Sequence, residues 1–302
     1  MAFTAADVKD LREKTGCGMM DCKNALTASN GDMDAAIDFL REQGLAKQAK
    51  KAGRIAAEGV AFAETNEKGD IGVVIEINAE TDFVAKNADF QAFVKQCADT
   101  VIEKNPADVD ALLECTAVGS DQTIAAVLQE KVLTIGENIK IRRFVRYDGV
   151  VVTYIHAAGR IGVMVKFDTD LADKPEFITY AKDVAMQIAA INPQFLNKDA
   201  ISADELEHEK KILTEQVINE GKPAQIAEKI VLGKIQKYYK EVCLVEQPFV
   251  KDGDISVLQY TENTAKALGG KITILDFVRF EKGEGIEKRQ DNFADEVASM
   301  VK

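Results

Sequence analysis

The first 45 residues place their apolar side chains at helical spacing in three short blocks. Thr4-x-x-Asp7 predicts a reciprocal cap, Val8 and Leu11 a first apolar stripe, and Thr15-Gly16 its stop. A second helix is predicted over 19–29. Asn30-Gly31-Asp32 then breaks the chain, and Ala35, Ala36, Phe39 and Leu40 line a third helix closed by Gly44. The segment Lys47-x-x-Lys50-Lys51-x-Gly53-Arg54 reads as a solvated linker in an alanine-rich setting that also permits more helix. From Gly59 the period changes to two. Val60-Ala61-Phe62-Ala63, a turn over 66–70 and Gly72-Val73-Val74-Ile75-Glu76-Ile77 predict a hairpin, after which Phe90, Phe93, Val94, Cys97 and Val101 return to helical spacing.

The same order recurs further on. Gly149 to Tyr154, a turn at Gly159 and Gly162 to Phe167 alternate as strands, and Phe177, Tyr180, Ala181, Val184 and Ile188 follow at helical spacing. Gly72 and Gly162 lie 90 positions apart, as do Ile77 and Phe167, whereas Phe90 and Phe177 lie 87 apart. The first copy therefore holds three extra residues between strand and helix, where Thr81-Asp82-Phe83-Val84 stands. Over 204–242 two apolar stripes flank Asn219-Glu220-Gly221-Lys222-Pro223, predicting an antiparallel helical hairpin that protrudes from the second copy. The sheet of that copy resumes over 271–278, and Phe293, Ala294, Val297, Ala298 and Val301 predict a terminal amphipathic helix. The expected organisation is α+β. A three-helix unit and linker occupy 1–54, a first core repeat 55–145, a second 146–202 with 243–280, the hairpin 203–242 and a C-terminal module 281–302.

Composition narrows the possible chemistry. The 302 residues are 46% hydrophobic and 29% charged, as in folded soluble chains. Lys+Arg 38 against Asp+Glu 50 gives a net charge of −12, so attraction to a phosphate backbone is not its main source of affinity and no nucleic-acid partner is expected. Charge is segregated: residues 1–54 carry +1 and the remainder −13. Five cysteines without a CxxC pair read as free, mostly buried thiols. The start Met1 to Phe3 leads into polar sequence and no long uncharged apolar run follows, so neither leader nor membrane span is expected and the chain reads as cytoplasmic. A phosphate loop is excluded at Gly270-Lys271, where Ala265 replaces the first glycine and Ile272 follows. GxGxxG, HExxH and GxSxG do not occur, and His156 and His208 are too few and too far apart for a histidine metal site. A carboxylate pair such as Glu76 and Asp82 reads as a solvated surface feature rather than an acid/base couple. No catalytic, metal or cofactor residue is expected. From its residues alone, Phe83 reads either as a core aromatic with Asp82 capping the next helix or as an exposed apolar group on a functional loop.

Six separated motifs carry a resemblance. Leu11-Arg12-x-x-Thr15-Gly16-x-Gly18-Met19-Met20-Asp21-Cys22-Lys23, Thr81-Asp82-Phe83-Val84 and Ile135-Gly136-Glu137-Asn138-Ile139-x-Ile141-Arg142-Arg143 are followed by His156-x-x-x-Arg160-Ile161-Gly162-Val163, Gln247-Pro248-Phe249-Val250 and Phe280-x-x-Gly283-Glu284-Gly285-Ile286-Glu287-Lys288. In this order they resemble the bacterial elongation factor Ts family over nearly the whole chain, with one local departure: Ala157 and an adjacent extra residue follow His156. The resemblance implies a ubiquitin-associated-like fold for the N-terminal helices, a coiled-coil hairpin, and guanine-nucleotide exchange on elongation factor Tu without covalent catalysis. It implies that Phe83, with Asp82 beside it and Thr81 and Val84 flanking, inserts into the partner's nucleotide domain and disturbs the magnesium and phosphate site. Leu11, Arg12, Met19, Met20 and Lys23 would touch that domain, as would Phe293 and Val297, while His156 would face a separate partner domain. A homodimer or a two-to-two complex would be compatible with the hairpin. A scaffold that binds without affecting nucleotide occupancy and an acidic hydrolase are the rival classes.

Overall fold

The computed structural model describes residues 3–15, 17–221 and 224–287; Gly16, Lys222, Pro223, Lys288, Phe293 and Val297, all singled out above, lie outside the described residues. Three helices open the chain, α1 (Ala5–Thr15), α2 (Met19–Ala28) and α3 (Met33–Lys51). The predicted reciprocal cap forms: the Thr4 amide donates to Asp7 Oδ2 at 2.6 Å and the Asp7 amide to Thr4 Oγ1 at 3.4 Å. Leu11, Cys22, Ala25, Leu26 and Ala36 fill the core of this unit. Helix α3 runs on through the lysines to Lys51, so most of the predicted linker is helical. Helix formation there satisfies backbone groups that a solvated linker would leave to water.

The next unit is β1 (Glu58–Thr65), β2 (Ile71–Ala79), the one-turn α4 (Asp82–Ala85), α5 (Ala88–Lys104), α6 (Val109–Glu114), α7 (Ile124–Ile135) and β3 (Lys140–Asp148). The following one is β4 (Val150–His156), β5 (Ile161–Thr169), α8 (Pro175–Ile191), α9 (Ala203–Asn219), α10 (Ala224–Val242), β6 (Pro248–Phe249), β7 (Asp252–Ser256), α11 (Val257–Leu268) and β8 (Ile272–Glu281). Two antiparallel three-stranded sheets result, ordered β1-β2-β3 and β4-β5-β8. The fold is therefore mixed α+β.

The duplication is deeper than the strand pattern indicated. Helices α5 and α8 have equal length and end on left-handed Asn105 and Asn192, 87 positions apart. Helices α7 and α11 also match in length and end on left-handed Gly136 and Gly269, 133 apart. Each central strand is bulged against its third strand, at Glu76/Ile77 in one sheet and at Lys166/Phe167 in the other. The offset grows from 87 to 133 across the stretch that contains α9 and α10. The sequence pattern did not reveal α6, α7 or β3, because the basic residues of β3 (Lys-Ile-Arg-Arg-Phe-Val-Arg-Tyr-Asp) hide its alternation.

One face of each sheet is covered by its own helices, and the other faces its counterpart sheet. That central contact is reciprocal. A Cβ on Gly72 would lie 2.7 Å from Met164 Sδ and 2.9 Å from Val151 Cγ2, while one on Gly162 would lie 3.0 Å from Ala61 O and 3.3 Å from Val74 Cγ1. Ala61 and Val74 are the repeat counterparts of Val151 and Met164, so each glycine admits the same pair from the opposite sheet. Arg143 lies over the Phe280 ring at 4.1 Å, and Lys166 over the Tyr147 ring at 5.8 Å.

Glu76 corrects the reading that made it a solvated surface carboxylate. It is 0% exposed between the sheets. It accepts from Arg142 Nη1 at 2.9 Å, Arg143 Nε at 2.7 Å, Asn78 Nδ2 at 3.1 Å and the Gly283 amide at 2.8 Å. A carboxylate on the inter-sheet face must be buried, and these four donors replace its water.

Helices α9 and α10 pack on each other through Val217, Ala227, Val231 and Ile235. The hairpin is rooted at Ile201, Val242 and Cys243, where Phe195 and Leu206 also pack. All five cysteines are free, and four are buried.

Candidate functional site

The loop between β2 and α5 is three residues longer than its counterpart between β5 and α8. Thr81 stands at the N-cap of α4 and its hydroxyl accepts from the Val84 amide at 3.4 Å, so Thr81 rather than Asp82 caps the turn. Val84 and Ala85 drop into the core formed by β2, α5 and α7. Successive helical positions are turned by about 100°, so anchoring Val84 and Ala85 aims Phe83 away from the core. Its ring is 80% exposed, the largest exposure among the large hydrophobic side chains of the described residues. This decides between the two readings of Phe83: it is not a core aromatic. Asp82 pairs with Lys86 at 2.7 Å. That hydrogen bond, with the charges of Lys86 and Lys282, holds the Asp82 carboxyl below the usual carboxylate range.

The loop is tied down on three sides. Glu137, two residues after the end of α7, accepts from the Glu80 amide at 3.1 Å, the Thr81 amide at 3.0 Å and the Thr81 hydroxyl at 2.7 Å. In return Glu80 accepts from the Asn138 amide at 2.6 Å, and Asn138 Nδ2 donates to the Arg54 carbonyl at 2.9 Å. At the far end Gln91 donates to the Ala85 carbonyl, and the Asn87 side chain caps α5. The hydrogen-bonded backbone thus carries one exposed aromatic ring beside a carboxylate paired with Lys86.

Glu137 and Asn138 lie in the motif Ile135-Gly136-Glu137-Asn138-Ile139, whose pattern alone assigns them no role. An alignment of position 137 with Gly270 of the second repeat is the signal that marks Glu137 as special. Of the other predicted contacts, Met19 and Met20 are exposed, Met20 at 63%, and Arg12 and Lys23 also reach solvent. Leu11 is different. It is completely buried in the three-helix core and offers no surface in this conformation. His156 is exposed at the end of β4, with Nδ1 3.1 Å from the Tyr154 hydroxyl. It opens a turn in which Ala157 and Ala158 both adopt left-handed backbone, at φ 48° and 53°.

Comparison with known proteins gives the family of the chain. The family model described as Elongation factor TS matches residues 80–284, from the brace of the Phe83 loop to the Gly283-Glu284 turn. The chain belongs to the elongation factor Ts family. It is 51% identical over 301 residues to the Elongation factor Ts of Clostridium perfringens (strain 13 / Type A), with 99% of each chain covered. It is 48% identical over 305 residues to that of Syntrophotalea carbinolica, with 100% of each covered, and 48% identical over 302 residues to that of Clostridioides difficile (strain 630). Family membership implies nucleotide exchange on elongation factor Tu in general terms. Among the described residues no helix is long and apolar enough to cross a membrane.

Proposed function

We propose that this chain binds elongation factor Tu in its GDP-bound and nucleotide-free states and promotes GDP release by inserting Phe83, with Asp82 alongside, into the partner's nucleotide domain, disturbing the magnesium and phosphate site. The supporting observation is the 80% exposure of Phe83 on a loop whose neighbours are buried and hydrogen-bonded. An apolar ring left in water on a rigid turn gains free energy only by entering another molecule.

Burial of one phenylalanine supplies ~1.5–3 kcal/mol, roughly a 10–150-fold change in affinity. Expulsion of a tightly held nucleotide needs more, and because exchange is a coupling free energy, bound nucleotide weakens this chain's hold by the same factor. The remainder is assigned to a distributed surface: Arg12, Met19, Met20 and Lys23 on the N-terminal helices, which we read as ubiquitin-associated-like, and the segment of Phe293 and Val297, all against the nucleotide domain. His156 in the second repeat is assigned to a separate partner domain. The five-part division made from the sequence, a coiled-coil role for α9 and α10 with self-association or a two-to-two complex, and a cytoplasmic location without nucleic-acid contact belong to the same reading.

Exchange makes and breaks no covalent bond, so the test is kinetic. Catalytic amounts of the chain added to elongation factor Tu carrying fluorescent GDP, with excess unlabelled nucleotide, should accelerate loss of the label. Binding of the partner without acceleration would favour the scaffold reading instead.

A further inference from the structure

The two repeats provide an internal control for the Phe83 loop. At the base of each strand-to-helix loop the same bond is present: Glu80 accepts from the Asn138 amide at 2.6 Å, and its counterpart Asp170 accepts from the Lys271 amide at 2.7 Å. That bond belongs to the common scaffold. The Glu137 carboxylate has no such counterpart, because position 270 is glycine, where a Cβ would lie 2.5 Å from Leu171 Cδ2 and 2.6 Å from Asp170 Oδ1. In the second repeat the loop is three residues shorter and turns Leu171 into the core. A three-donor carboxylate brace therefore occurs only in the repeat whose loop holds an aromatic ring out in water.

A structural role common to both repeats would not need Glu137, since the second folds its loop without it. What the first repeat adds is a longer loop and an outward Phe83, and Glu137 fixes the two residues from which that addition starts. Its hydrogen bonds reach the Glu80 and Thr81 amides and the hydroxyl that caps α4, two residues from the ring. We infer that Glu137 is the positioning residue of the exchange element, holding α4 so that Phe83 is oriented before the partner arrives. Ordering the loop in advance removes an entropy cost that would otherwise fall on binding. This inference rests on the proposed role of Phe83 in nucleotide release.

The chain contains no tryptophan, so Phe83→Trp introduces a single indole as a reporter of loop order. In the full-length free protein, time-resolved anisotropy of that indole should show a larger nanosecond amplitude when Glu137→Ala is added, and a smaller increase with the isosteric Glu137→Gln, which retains acceptor oxygen. Far-UV circular dichroism and the unfolding midpoint should stay near those of the parent. In GDP release from elongation factor Tu, Glu137→Ala should slow exchange by about tenfold, the loss expected for roughly one net charge-assisted hydrogen bond. In a Phe83→Ala background the same change should slow it less than about twofold, because the two residues act as one unit. Unchanged indole motion in both Glu137 variants, or equal effects of Glu137→Ala with and without the Phe83 side chain, would overturn the inference. If Phe83→Ala alone leaves GDP release unaltered, the functional reading fails and takes the exchange role of Glu137 with it, while the anisotropy still tells whether Glu137 holds the loop.

Discussion

Individual residues carry two opposed kinds of cost in this molecule. Phe83 is held in water, and Ala157 and Ala158 are held in left-handed backbone, which costs ~1–2 kcal/mol for each non-glycine residue. Ala158→Gly should therefore raise stability by about 1 kcal/mol in urea unfolding; a lower midpoint would mean that the turn is favoured by contacts of the methyl group. Glu76 presents the reverse case. Its four donors make it a fully buried junction among β2, β3 and the Gly283 turn. Glu76→Ala should cost about 3 kcal/mol, the low end for a broken buried pair because Arg142 and Arg143 both reach solvent. A shift below ~1 kcal/mol would show that water replaces the carboxylate at little cost. Neither cost was legible in the sequence. Glu76 sits in an alternating strand where either face could have been the wet one, and only the second sheet, brought in by the duplication, makes both faces dry.

At the scale of elements, the periods of 3.6 and 2 were sufficient to find α1, α2, β1, β2, β4, β5, α8 and the helical hairpin, since each has one buried stripe or face. They failed where function or packing altered the pattern: β3 carries three arginines, and α11 buries Val257 and Thr261 beside polar neighbours. The three-residue surplus before α5 was readable from spacing alone, and it singled out the loop that carries Phe83. What it could not decide was whether Phe83 points inward, because that depends on Val84 and Ala85 taking the core positions. The hairpin α9–α10 has its own small apolar seam, and its two ends meet at Ile201 and Val242. Replacing 204–240 with a short Gly-Ser joint should thus leave cooperative thermal unfolding of the remainder and Phe83-dependent GDP release intact. Loss of the unfolding transition would show that the hairpin is part of the folding core. Light scattering on the same deletion tests self-association: a dimer that persists would exclude the hairpin as its cause.

For the whole molecule, the reciprocal contacts of Gly72 and Gly162 give the sheet pair the character of a self-complementary dimer interface closed within one chain. The pairs Glu76–Arg143 and Lys166–Asp276 occupy equivalent cross-strand positions with their charges exchanged. Such a junction is intolerant of added volume: Gly72→Val should destabilise by about 1–3 kcal/mol through contact with Val151 and Met164, and unchanged stability would mean that the sheets can separate slightly. The packed sheets carry the Phe83 loop on one repeat and His156 on the other. Stopped-flow release of fluorescent GDP from elongation factor Tu, with wild type and Phe83→Ala compared at saturating concentrations, tests whether Phe83 is the group that acts on the nucleotide site. The predicted result is slower release by on the order of 10–100-fold with an unchanged circular dichroism spectrum; release at the wild-type rate would contradict it.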